Sequence, residues 1–199
     1  MRDLKQYTID TNVIRYQVSK TGDQILERAA RVFWRTIKEN VEKGEAVILV
    51  PSEVVRELKV QSHVLKASEN VKIQNLLNHC LEVSPPVSIE IEHHIREMSA
   101  YLRANYKRDI GFPKMEYGGV SDARILYGAY YEDSILVTAN IRDFLLYPFL
   151  FAQHEKRLYD LILSKYIQIP ELVYAKVWQD ETFKEMFQHL VKLEIELED

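Results

Sequence analysis

Apolar positions follow two rhythms along this chain. Ala46-Val47-Ile48-Leu49-Val50 and Ser134-Ile135-Leu136-Val137-Thr138 are short, continuous and β-branched. Such runs mark strands covered on both faces, as in a parallel sheet. Tyr7-Thr8-Ile9 carries the same β-branched and aromatic bias. Elsewhere the spacing is helical. Ile25, Leu26, Ala29, Val32, Phe33 and Ile37 predict a long helix over 23–43, with Asp23 as its N-cap and Gly44 as its C′ glycine. A strand, a long helix and a second buried strand make a βαβ unit, which predicts an α/β chain.

The remaining pattern fills in around that unit. Pro51-Ser52 ends the second strand, and Ser52 is the expected cap of a helix beginning at Glu53. Residues 71–80 read as helical, 81–83 as a short strand before Pro85-Pro86, and 89–106 as another helix. Residues 112–119 read as a loop, and Ser121 as the opening of a helix over 122–131. Beyond Leu145 the pattern predicts a helix over 155–166, an extended 167–170 and a final Glu-rich helix. The expected division is a core domain over 1–150, with a helical insertion at about 61–116, and a helical extension over 151–199 packed on the same domain.

Composition narrows the class. The chain has 199 residues, six Gly, six Pro and a single cysteine, Cys80. One cysteine excludes a disulfide framework and a multi-Cys metal site, and suits a reducing cytoplasm. No N-terminal run resembles a signal peptide, and no apolar run is long enough to span a bilayer. With 26 Lys and Arg against 30 Asp and Glu, the net charge is −4. That opposes nucleic-acid binding through a globally basic surface, but not through a local basic patch or through metal ions held on carboxylates.

Acids stand where these predicted elements end. Asp10 follows the first strand, and open α/β sheets place ligands at the carboxyl ends of their strands. Asp122 begins the helix before the 134–138 strand; Asn140 and Asp143 follow it. Glu57 borders the apolar stripe of the helix after the second strand and can point inward, whereas Glu53 reads as a first-turn acid favoured by the helix dipole. Clustered carboxylates repel one another, and a hard divalent cation such as Mg²⁺ or Mn²⁺ removes that cost. A cation held this way orients a water and stabilises charge on a scissile phosphate. Each acid also has a plainer reading: Asp10, Asn140 and Asp143 are common turn residues, and Asp122 is a helix-start acid.

Taken in order, Ile9-Asp10-Thr11-Asn12-Val13, Pro51-Ser52 followed by Glu57, Ser121-Asp122-Ala123-Arg124-Ile125 and Leu136-Val137-Thr138-Ala139-Asn140-Ile141-Arg142-Asp143-Phe144 resemble the PIN-domain family across most of 7–144. The resemblance implies a three-layer α/β/α fold with a mainly parallel sheet. It implies a Mg²⁺- or Mn²⁺-dependent ribonuclease, commonly the toxin of a bacterial toxin–antitoxin pair, with an antitoxin partner and a homodimeric state. Asp10, Glu57 and Asp122 match the family's three acidic positions, and Asn12 and Thr138 match supporting polar ones. Asn140 stands where many members carry a fourth acid, and Asp143 is the candidate to replace it as a metal ligand. The long segment over 61–119 and the tail beyond Phe144 depart from compact members.

The candidate RNA contacts are Arg15 and Arg124, near the acids, which suit either phosphate contact or pairing with carboxylates, and a basic stretch with interleaved aromatics. That stretch comprises Tyr101, Arg103, Tyr106, Lys107, Arg108, Phe112 and Lys114. Such a surface holds a phosphate backbone and stacks bases; alternatively it is a solvated face with its tyrosines packed inward. His93-His94 lacks metal-ligand spacing and reads as surface or helix residues, and Cys80 as buried filler. No Ser, Cys or His nucleophile has a partner in sequence, so metal-activated water is the expected attacking group. Two other functions compete. A phosphatase using Asp10 as nucleophile would want an acid at position 12, where Asn12 stands. A PIN-like scaffold would bind RNA or protein without efficient cleavage.

Overall fold

The computed structural model describes residues 4–18, 22–86, 88–111 and 118–198. Six strands form one sheet in the order β3-β2-β1-β4-β5-β6. They are β1 (Lys5–Ile9), β2 (Ala46–Pro51), β3 (Leu81–Val83), β4 (Ile135–Thr138), β5 (Leu158–Asp160) and β6 (Lys165–Tyr166). Every pairing is parallel except β5 with β6. The helices are α1 (Thr11–Val18), α2 (Gln24–Glu42), α3 (Ser52–Gln61), α4 (Ala67–Leu77), α5 (Ile89–Tyr106), α6 (Val120–Tyr131), α7 (Glu171–Gln179) and α8 (Glu181–Glu198). Helices flank the sheet in the three-layer α/β/α arrangement of the expected fold class. Among the described residues no helix is long and apolar enough to cross a membrane.

The pleat of β1 separates the two faces. Tyr7 packs edge-on against Phe33 of α2, and Phe33 also meets Tyr159 of β5. Thr8 points the other way, its hydroxyl 2.7 Å from that of Ser134, which leads from α6 into β4. On that side Gly128 of α6 lies against Pro51 and Pro85. Alternate residues of a strand face opposite layers, so β1 is covered on both sides.

The long helix starts as its sequence dictates. Asp23 accepts hydrogen bonds from the backbone N–H groups of Ile25 and Leu26, at 2.9 and 3.2 Å. Gly44 closes the far end at φ +67°, a conformation costly for other residues. Two other caps differ from expectation. Ser52 is the first residue of α3, with Pro51 at its N-cap, and α6 starts at Val120 with Gly119 at its N-cap.

The tail corrects the sequence reading most. Residues 155–166 form no helix. Leu158–Asp160 adds a parallel strand beside β4, and a tight turn leads into β6. Asp160 holds that turn by accepting from the N–H groups of Ile162 and Leu163. The segment over 151–199 therefore contributes strands to the central sheet as well as α7 and α8. The Glu-rich end is two helices, broken at Asp180, whose side chain caps α8 at Thr182. Phe149 stacks on Tyr174 of α7 at 5.9 Å and meets Phe183 of α8 edge-on. Trp178 packs against Phe183 and Phe187. The loop expected over 112–119 lies, apart from Gly118 and Gly119, outside the described residues.

Tyr147 locks the segment after β4 to the strand's start. It is fully buried, and its hydroxyl donates to the Ser134 carbonyl at 2.7 Å. Burial pushes the phenol's pKa well above its ordinary value. Tyr147→Phe strands that carbonyl in the core and is expected to cost about 1–3 kcal/mol of stability in urea unfolding.

Candidate active site

Asp10 ends β1 at its carboxyl edge, beside the end of β4. Its backbone N–H donates to the Val137 carbonyl at 3.0 Å, so the strand pairing itself sets its position. The residue is 6% exposed. Its Oδ2 accepts from the Thr138 hydroxyl at 2.7 Å and from the Asn12 side-chain amide. Asn12 Oδ1 in turn accepts from the Ala139 N–H at 3.0 Å, and the Asn140 N–H donates to Thr138 Oγ1 at 2.9 Å. Asn12 and Thr138 thus form a frame that clamps one carboxylate oxygen.

Asp10 is electrostatically strained in this place. Burial pushes its pKa up to about 7, and the nearby charges of Asp122 and Glu57 push the same way, against the hydrogen bond from Thr138. These three acids, distant in sequence, therefore share one electrostatic neighbourhood. Glu57 reaches it from α3 and is oriented by the hydroxyl of Thr11, which donates to its Oε2. Asp122 lies in the first turn of α6, where its Oδ2 accepts from the Gly119 N–H at 2.7 Å. A Cβ on the buried Gly118 would stand 3.8 Å from both the Asp122 Cβ and the Asp143 carbonyl oxygen. Asp143 therefore lies beside the turn that carries Asp122. Its side chain accepts from the amide of Asn140, which is exposed at the rim.

The expected RNA contacts fare differently. Arg15 donates to Gln61 of α3, so Thr11–Glu57 and Arg15–Gln61 form parallel links between α1 and α3. Arg124 bridges Glu53, at 3.4 Å, and Glu92, at 2.9 Å. Both arginines spend donors on protein partners. Lys107 and Arg108 are exposed just beyond α5, and Arg103 is half-buried. Tyr101 and Tyr106 both donate their hydroxyls to Asp180, and Tyr106 is buried while Tyr101 is half-buried. Phe112 and Lys114 lie outside the described residues.

Glu53, the histidine pair and Cys80 also find their places. Glu53 is 7% exposed and belongs to an ion-pair network rather than to a solvated first turn. His94 is buried, its Nε2 2.6 Å from the Met186 carbonyl oxygen and its ring edge-on to His189, while His93 is exposed as expected. Cys80 is half-buried, and burial pushes its thiol up to about 12. Sequence reasoning missed Thr11 as the partner of Glu57. Its one signal was the short polar run after Asp10, which starts α1 rather than ending in a turn. Two clefts, of about 670 and 310 Å³, lie elsewhere: between α6 and α8, and around Pro148 and Tyr174.

No family model matches the chain, and no curated protein does. Two solved structures are similar to it. VapBC2 from Rickettsia felis, crystallised with a DNA fragment from its promoter, is 20% identical over 69% of this chain and 89% of that one, with a TM-score of 0.46. FitAcB from Neisseria gonorrhoeae is 16% identical over 70% and 91%, with a TM-score of 0.39.

Proposed function

We propose that this protein is a Mg²⁺- or Mn²⁺-dependent endoribonuclease, and, from the family its sequence resembles, the toxin of a toxin–antitoxin pair. The observation that carries the nuclease reading is the state of Asp10. A carboxylate is clamped at the carboxyl edge of a parallel sheet, where burial raises its pKa and two other acids raise it further. Buried structural carboxylates are normally paired with cations; this one is held by two neutral donors and faces the like charge of Asp122 and Glu57, which supports a functional role.

The donors suit a hard cation, being carboxylate and amide oxygens. Among the described residues no three His, Cys, Asp or Glu side chains are grouped closely enough to hold a metal ion by themselves. Mg²⁺ commonly takes only one or two carboxylates and completes its shell with water and substrate phosphate. Asp10 would hold the ion together with Glu57 or Asp122, and Asp143 is the reserve ligand at the rim. When bound, the cation supplies Lewis-acid stabilisation of charge on the phosphodiester. The chain's own residues set the geometry. Thr138 and Asn12 fix Asp10, Thr11 fixes Glu57, and the first turn of α6 carries Asp122. Asn140 offers a neutral amide at the mouth, where another acid would repel phosphate.

Incubating purified protein with total RNA and Mn²⁺ tests this. Fragments are expected with Mn²⁺ and none with excess EDTA; equal cleavage in both, or none in either, rejects the reading. Asn140, a neutral side chain in an acidic position of the family pattern, favours a second reading as a catalytically weak scaffold that binds RNA or protein. Calorimetry separates the two, since the scaffold takes up no Mn²⁺ at millimolar concentration.

A further inference from the structure

We infer that Glu53 is a positioning residue for Asp122, and that the placement it imposes governs how tightly the site takes a divalent cation. The inference rests on the metal-site reading above. Glu53 is a helix-start acid, yet it is 7% exposed, and burying a carboxylate is costly unless its oxygens are paired. Its partners come from two helices. Arg56, on its own helix, donates from Nε at 3.1 Å and again from Nη2. The Ser121 hydroxyl donates to Oε1 at 2.6 Å, and Arg124 Nη1 reaches Oε2 at 3.4 Å. Ser121 and Arg124 stand on either side of Asp122 in the chain. Glu53 therefore grips the turn that presents Asp122 without touching Asp122 itself.

That turn needs an outside hold. The first turn of a helix lacks internal partners for its N–H groups, and a side-chain cap usually steadies it. Here the N-cap is Gly119, which has no side chain to offer, and Gly118 precedes it. Asp122 reaches back to the Gly119 N–H, so the acid itself shares in the capping. The Ser121–Glu53 bond is the tertiary contact that gives this turn its bearing against α3, the helix that also carries Glu57. A packed apolar pair would join α3 to α6 at no greater cost, but it would not define the direction of the turn as a hydrogen bond to one oxygen does. Glu92 supplies an internal comparison. It pairs with Arg124 from α5 and is equally buried, but it makes no bond to Ser121.

Mn²⁺ titration by calorimetry, with thermal unfolding of each variant, tests the assignment. Glu53→Gln is expected to weaken Mn²⁺ affinity about tenfold, the size typical of losing a residue that orients a metal ligand. Ser121→Ala should weaken it less, and adding it to Glu53→Gln should bring no further loss. Glu92→Gln should lower the melting temperature while leaving affinity unchanged. Equal affinity losses in Glu53→Gln and Glu92→Gln, or none in Glu53→Gln, overturn the inference while leaving the metal site standing. If Glu53→Gln does not fold, wild-type affinity in Ser121→Ala overturns it instead. A wild-type protein that takes up no Mn²⁺ overturns the metal-site reading and this inference together.

Discussion

Asp10→Asn is expected to remove metal-dependent RNA cleavage, lowering the rate by about a thousandfold or more while the protein stays folded. The size follows from what the carboxylate is asked to supply. Cation stabilisation of a phosphodiester transition state amounts to several kcal/mol, and each ~1.4 kcal/mol is a factor of ten in rate. Asparagine has nearly the same shape. With its carbonyl oxygen in the place of Oδ2 it still accepts from both Asn12 and the Thr138 hydroxyl, so the frame at the end of β1 persists. What is lost is the charge. Cleavage at the wild-type rate by a folded Asp10→Asn protein would reject the mechanism. Parallel far-ultraviolet circular dichroism excludes the trivial outcome.

The same residue makes stability depend on pH in a direction opposite to that of carboxylates paired with cations. Asp10 has an ordinary pKa of 3.8 and is pushed up to about 7 by burial and by Asp122 and Glu57. The folded protein thus holds a proton that the unfolded chain has released, and folding stability falls as pH rises between those two values. Its full contribution is present below pH 4 and is gone above about pH 7. In metal-free protein the loss across that window is expected to be roughly 2–4 kcal/mol, on the basis of about 1.4 kcal/mol per pKa unit. Urea unfolding at successive pH values reads it directly. Asp10→Asn should flatten the profile and be the more stable protein at pH 8. Mn²⁺ should restore wild-type stability at that pH, by about 2.7 kcal/mol at a hundred times its dissociation constant, and should leave Asp10→Asn unmoved. Wild-type and variant profiles of the same slope would show that Asp10 is not held in its neutral form by the fold.

Several elements are legible in the sequence because their causes are local. The runs at 46–50 and 134–138 are short and β-branched, which favours buried strands over helix, and the period of Ile25 to Ile37 describes one face of a helix. Asp23 caps that helix through atoms two and three residues away. Asp10 and Asp122 are legible as acids at element ends, and Glu57 as an acid bordering an apolar stripe, for the same reason. The failures share a different cause. Leu158–Asp160 is too short to show a period; it is a strand because β4 offers an unpaired edge beside it. Tyr101 and Tyr106, read beside basic residues, leave base stacking and inward packing both open, and their partner Asp180, more than seventy positions away, takes both hydroxyls.

Glu53 and Glu57 show where the division falls. They are the same residue type one helical turn apart, and local pattern alone made the first a solvated helix-start acid and the second a site residue. Their chain positions determined that both lie on α3, near the carboxyl ends of β1 and β2. Only the approach of α6, with Ser121 and Arg124, and of α1, with Thr11, decided what each carboxylate binds. Helical period and capping act over a few residues and can be read from the chain. The partner of a buried charge is chosen by whichever distant segment packing brings within about 3 Å, and no local rule contains that choice.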